Sequence, residues 1–137
     1  MWWIYALLSA VFAALTAIFA KVGIKGVDTD LATGIRTVII LLLAWAIVIY
    51  RGSNHTIGSL TKLNWTFLIL SGCATGLSWI FYFKALQLGK VSQVAPVDKL
   101  SVAIAIVLSV VFLGEPLTFK SATGAVLIIA GTLVLIF

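Results

Sequence analysis

The chain has 137 residues, of which 63% are hydrophobic and 9% charged, and its mean hydropathy is +1.24. A soluble domain of this size keeps much of its surface in water and has nowhere to hide so much apolar area, so the composition fits lipid as the solvent. The net charge of +5 does not point to nucleic acid. The basic residues lie near the ends of apolar runs, where they meet head groups and set orientation.

Five apolar runs divide the sequence, at about residues 2–24, 31–50, 64–86, 93–113 and 118–137. Each has about twenty residues, enough at a rise of about 1.5 Å per residue to cross a hydrocarbon core about 30 Å thick. The first run follows Met1 directly with Trp2 and Trp3. No basic n-region or small-residue cleavage site precedes it, so it reads as a retained span. "GVDTD" (26–30) ends it, with Gly26 suited to a helix terminus and Asp28, Thr29 or Asp30 to capping the next helix. The second run contains "VIILLLAWAIVIY", which shows none of the strict alternation of a membrane β-strand. "RGSNHTIGSLTKLN" (51–64) is polar and is the longest expected loop. The third run ends at "QLGKVS", and "GEPLT" separates the fourth from the fifth, with Pro116 stopping one helix and Thr118 capping the next. Backbone exposed to lipid must satisfy its own hydrogen bonds, so these runs are expected to be helices. The expectation is an all-α integral membrane protein, a single domain over 1–137 with five transmembrane helices. Trp2, Trp3 and Trp65 sit at span ends as interface anchors.

An odd number of spans places the termini on opposite sides. Arg51, Lys62 and Lys120 fall near the amino-terminal face, and Lys21, Lys25, Lys84 and Lys90 near the other, which leans toward a cytoplasmic carboxyl terminus. Arg36, Asp98 and Lys99 lie deeper, about 5–12 Å from that second face by helical rise. Charge at such depth is costly and usually faces a bundle interior or a wet cavity. Adjacent residues on a helix diverge by about 100°, so Asp98 and Lys99 are not expected to pair well with each other. Asp98 then needs another cation, with Arg36 the best candidate, or a proton. Pro96 removes a backbone donor and is the expected kink of the fourth helix, unless it lies harmlessly in the first turn.

Trp79 and Tyr82, three apart in the third run, are candidates for an aromatic cavity lining, with packing as the simpler role. "SGCATG" repeats small residues at four-residue spacing, a pattern that lets membrane helices approach closely, and Gly124, Ala125, Gly131 and Thr132 give the fifth run a small-residue stripe. Catalytic and metal chemistry find no foothold. His55 is the only histidine and Cys73 the only cysteine, so neither a metal set nor a disulfide can be assembled, and no cofactor is expected.

The segment "QVAPVDKLSVAIAIVLSVVFLGEPLTFKSATGAVLIIAG" resembles the end of the EamA domain of the drug/metabolite transporter superfamily. The likeness rests on Pro96 opening the fourth span, "LGEPLT" at Leu113–Thr118 and "GAVLIIAG" at Gly124–Gly131, and continues upstream in "WIFYFKALQLGKVSQVAP" and "AKVGIKGVDTDLATGIRT". Most members carry two such five-helix domains as inverted repeats around a central cavity. This chain is similar to one half-transporter repeat of the five-span bacterial and archaeal branch, in which "PVDKLS" is a familiar segment. The resemblance implies a multi-pass protein of the inner or plasma membrane. It implies an exporter or secondary carrier of a small polar metabolite, not an enzyme, working as a homodimer with an antiparallel arrangement suggested by the inverted halves. Its cavity would be lined by Asp98, Lys99 and Arg36, where several cations against one carboxylate favour an anionic or zwitterionic solute. Two alternatives remain at this level: a subunit of a lipid-linked sugar flippase, and a membrane scaffold with no transport of its own.

Overall fold

The computed structural model describes residues 1–137, and the chain is almost wholly helical. Six α-helices follow in order: α1 (Trp2–Gly23), α2 (Thr29–Tyr50), α3 (Lys62–Leu88), α4 (Val91–Asp98), α5 (Leu100–Leu113) and α6 (Phe119–Ile136). A 3₁₀ helix, Ser53–Ser59, occupies half of the segment expected as a loop. α4 and α5 together form one span, so five segments are long and apolar enough to cross a membrane, as expected.

The helix ends follow local rules. Gly26 turns the chain after α1 at φ 71°, a left-handed conformation that glycine adopts without a Cβ clash. Asp28 then caps α2, its Oδ1 accepting from the N–H groups of Asp30 and Leu31 at 3.0 Å each. Thr118 caps α6 by accepting from Ser121 N–H at 3.1 Å. α5 ends at Gly114, at φ 66°, two residues before the expected stop at Pro116. The N–H of Glu115 reaches back to the Ser109 carbonyl at 3.3 Å, so the C-terminal carbonyls are satisfied by a glycine cap and the proline only follows it.

The fourth span departs from expectation. It begins at Val91 and is interrupted at Lys99. Pro96 is the sixth residue of α4 and so lies inside the helix, beyond the harmless first turn. Lacking an N–H, it cannot bond the carbonyl one turn earlier. Three residues on, Lys99 N–H is shared between the carbonyls of Ala95 at 3.3 Å and Pro96 at 3.0 Å, and Val102 N–H returns to Lys99 at 3.0 Å. These shortened i→i−3 bonds make the turn at Lys99 tighter than an α-helix, and the break falls there instead of at the proline itself.

Residues gather into two compact units, Met1–Ile18 with Leu88–Phe137, and Phe19–Gln87. In the first, α6 packs against both α4 and α5, and Ala103 and Thr132 are buried. In the second, the end of α1, α2 and α3 bury Ala20, Ile24, Thr29, Thr33, Phe83 and Leu86. The remaining large apolar side chains are mostly exposed, as expected of helices solvated by lipid.

Candidate functional site

The Phe19–Gln87 unit holds the more developed site. Its polar side chains mostly satisfy themselves. Thr33 donates to the Thr29 carbonyl and Thr37 to the Thr33 carbonyl, each at 2.8 Å. Hydroxyls bonded one turn back carry no unmet demand into an apolar setting. The ends of α1 and α3 cap one another. Lys21 Nζ donates to the Leu86 carbonyl. Gln87 Nε2 donates to the carbonyls of Val27 at 3.0 Å and Ile24 at 3.4 Å. A cation on a C-terminal carbonyl also opposes the helix dipole. Lys21, which the sequence places near a span end, has its ammonium turned to the backbone of α3.

Arg36 is different. Its guanidinium carbon stands 4.4 Å from the centroid of the Phe83 ring, and Phe83 is 1% exposed. The negative face of a buried ring attracts a cation strongly where water is excluded. Tyr82 meets Phe83 edge-on at 5.6 Å between centroids and 60° between planes, which stiffens the ring under the cation. Arg36 Nε is buried with no hydrogen-bond partner. Leaving a buried donor unmet costs about 1–3 kcal/mol, more for a charged group. The side chain lines a cavity of about 320 Å³, open on one side, whose other walls are Phe19, Ala20, Gly23, Ile24, Val27, Ala32 and Ile35. Trp79 and Tyr82 are not among them. Tyr82 supports Phe83, and Trp79 is half-buried on α3.

In the other unit, Asp98 and Lys99 flank the break in the fourth span. Contrary to expectation they pair with each other, Lys99 Nζ lying 3.2 Å from Asp98 Oδ2. Two things make this possible. Lys99 sits at the junction, at φ −72° and ψ −8°, so the angular spacing of a regular helix does not hold. Its flexible stem also reaches further than the Cβ directions suggest. The Lys99 side chain is 57% exposed and that of Asp98 33%. Asp98 therefore takes its cation from the next residue, and Arg36, which lies in the other unit, takes a ring. Beside the pair, the Pro96 carbonyl accepts from Thr132 Oγ1 at 3.2 Å, while Thr132 also lies 2.8 Å from the Ile128 carbonyl. A shallow apolar depression of about 250 Å³ is lined by Ala103, Ile104, Val107, Leu108 and Ile129.

Three contributors escaped the sequence reading: Phe83, Gln87 and Thr132. Phe83 stands in the aromatic run "WIFYF", and Thr132 is the one polar side chain in "GTLVLIF", so weak signals existed. Their partners lie 47 or more positions away for the first two and 36 for Thr132, and no local pattern names them.

Comparison with known proteins agrees along the whole chain. The family described as "EamA-like transporter family" matches residues 1–137. A Sinorhizobium protein named "Uncharacterized transporter in cobO 3'region" is 49% identical over 134 residues, covering 98% of this chain and 95% of the relative. An uncharacterized protein of Methanocaldococcus jannaschii is 32% identical over 132 residues, covering 96% of this chain and 93% of its own length. No solved structure matches the chain.

Proposed function

This chain belongs to the EamA-like transporter family, and from that premise we propose that it carries a small polar metabolite across the inner or plasma membrane as a homodimer. The membership and the five spans make it a multi-pass membrane protein of a transporter family. The proposal adds the working unit, the charged lining and the solute. One observation carries it. The fourth span is interrupted at Lys99, directly beside Asp98. Irregular backbone and an ionisable pair at membrane depth are tolerated where they line a cavity or a protein interior. Asp98 and Arg36 are each the eighth residue of their span, about 10 Å along the helix. Asp98 and Lys99, at the break that Pro96 opens, are assigned to the solute path, and separately Arg36, with Trp79 and Tyr82 on α3 of its own unit.

The dimer is supported by what the protomer leaves open. A Cβ placed at Gly72, Gly76, Gly124 or Gly131 meets nothing within 4 Å. These small-residue faces are therefore not filled by the chain itself, and close approach of a second copy would use them. Two copies in antiparallel orientation would reproduce the inverted halves of two-domain transporters.

The test is Asp98→Asn in proteoliposomes, with flux and thermal stability measured together. Asparagine keeps the shape of Asp98 and an oxygen that can accept from Lys99, so the protein is expected to fold and insert with its thermal stability little changed, while flux is lost. Unchanged flux with unchanged stability would remove Asp98 from the solute path.

A further inference from the structure

We propose that Arg36 is an oxyanion-recognition subsite, and that the solute it reads is an organic acid with a compact apolar body. The inference rests on the transport reading for its biological sense, but its geometry stands separately. Arg36 is the single charged residue on a cavity whose other walls are apolar. No carboxylate lies among those walls to neutralise it. Its resolved neighbour is the Phe83 ring at 4.4 Å, which attracts the charge but accepts no conventional hydrogen bond. The buried Nε–H has no partner. A guanidinium seated on a ring and short of an acceptor is prepared for a carboxylate or phosphate oxygen, which it grips through paired N–H donors.

The walls define the rest of the ligand. Phe19, Ile24, Val27 and Ile35 offer apolar contact, and Ala32 and Gly23 keep the space open. A volume of about 320 Å³ lies at the small end of ligand pockets, which run from about 300 to 1,000 Å³. A small inorganic anion would leave the apolar walls unused, and a neutral amphiphile would leave the guanidinium unmet. An acid with an apolar body satisfies both. A lipid head-group phosphate offers the same oxyanion chemistry, so the experiment separates the two sources.

The full chain in phosphatidylcholine nanodiscs is titrated calorimetrically with 3-phenylpropionate, 3-phenylpropionamide and 3-phenylpropylamine. The acid is expected to bind at least about tenfold more tightly than the amide or the amine, since a charge-assisted bond is about twice as strong as a neutral one. Arg36→Gln should erase that preference. Arg36→Lys should keep part of it, because an ammonium supplies charge without the fork. Ala32→Phe, which fills the cavity and leaves Arg36 intact, should weaken the acid about tenfold and serves if Arg36→Gln fails to fold. Equal binding of acid and amide, or an unchanged affinity in Ala32→Phe, would overturn the subsite. Loss of acid binding when phosphatidylglycerol is added to the nanodisc would assign the site to lipid and overturn the solute. Exchange of labelled 3-phenylpropionate in proteoliposomes is measured alongside. Preferential binding without exchange sustains the subsite and counts against transport. Flux of other solutes with no preference for the acid does the reverse.

Discussion

Arg36 and Phe83 should be energetically coupled, and a double-mutant cycle measures by how much. The perturbations are Arg36→Gln, Phe83→Leu and the pair. The ring is 1% exposed and the guanidinium carbon 4.4 Å from its centroid, close to the optimum for attraction to the ring face. Cation–π contacts run from about 0.5–1 kcal/mol at exposed sites to about 2 kcal/mol or more when desolvated. Arg36 is half-buried over a buried ring, so the coupling should fall at about 1–1.5 kcal/mol. Phe83→Leu also loses packing. Truncating Phe to Ala in a core costs about 3–5 kcal/mol, and leucine restores most of the apolar volume, so the single substitution should cost about 1–2 kcal/mol beyond the coupling. The cycle cancels that packing loss because it appears in both arms. Reversible unfolding in mixed micelles, followed by tryptophan fluorescence, supplies the four stabilities. A coupling below about 0.3 kcal/mol, inside the usual error of additivity, would mean that the ring does not hold the guanidinium. The account of Arg36 as a prepared cation would then fall with it.

Three further outcomes follow from single features. Thr132→Val should cost only about 0.5–1 kcal/mol in the same unfolding assay, because the Pro96 carbonyl keeps the Lys99 N–H at 3.0 Å when the hydroxyl is gone; a loss above about 3 kcal/mol would show that this carbonyl depends on Thr132. Gly114→Ala should destabilise by about 1–2 kcal/mol, since φ 66° is unfavourable for any residue with a Cβ, and a neutral result would show that the end of α5 re-forms without a left-handed cap. Reporter fusions within Arg51–Asn64 and after Phe137 should report opposite compartments, because an odd number of spans separates the termini; agreement between the two sites would refute the five-span count.

Much of this molecule is written locally. Hydropathy alone located five spans, because a bilayer demands about twenty apolar residues per helix and tolerates no unsatisfied backbone between. The caps at Asp28 and Thr118 were equally legible, since a capping oxygen acts on N–H groups two or three positions away. Pro96 announced trouble in the fourth span, yet not where it would fall. A missing N–H deletes one hydrogen bond, but the neighbouring turns share the adjustment, and the tighter bonding settled at Lys99. That displacement brought Lys99 and Asp98 together against the expectation drawn from a regular helix. The seat of Arg36 on Phe83, the bonds from Gln87 to the end of α1 and the bond from Thr132 to Pro96 were beyond sequence reading for one reason. Periodicity tells which residues share a helix face, but it carries no information about which face of which other helix comes to lie against it. The choice of partner depends on how side chains 36 to 63 positions apart pack once the helices have met, and only the tertiary structure decides that.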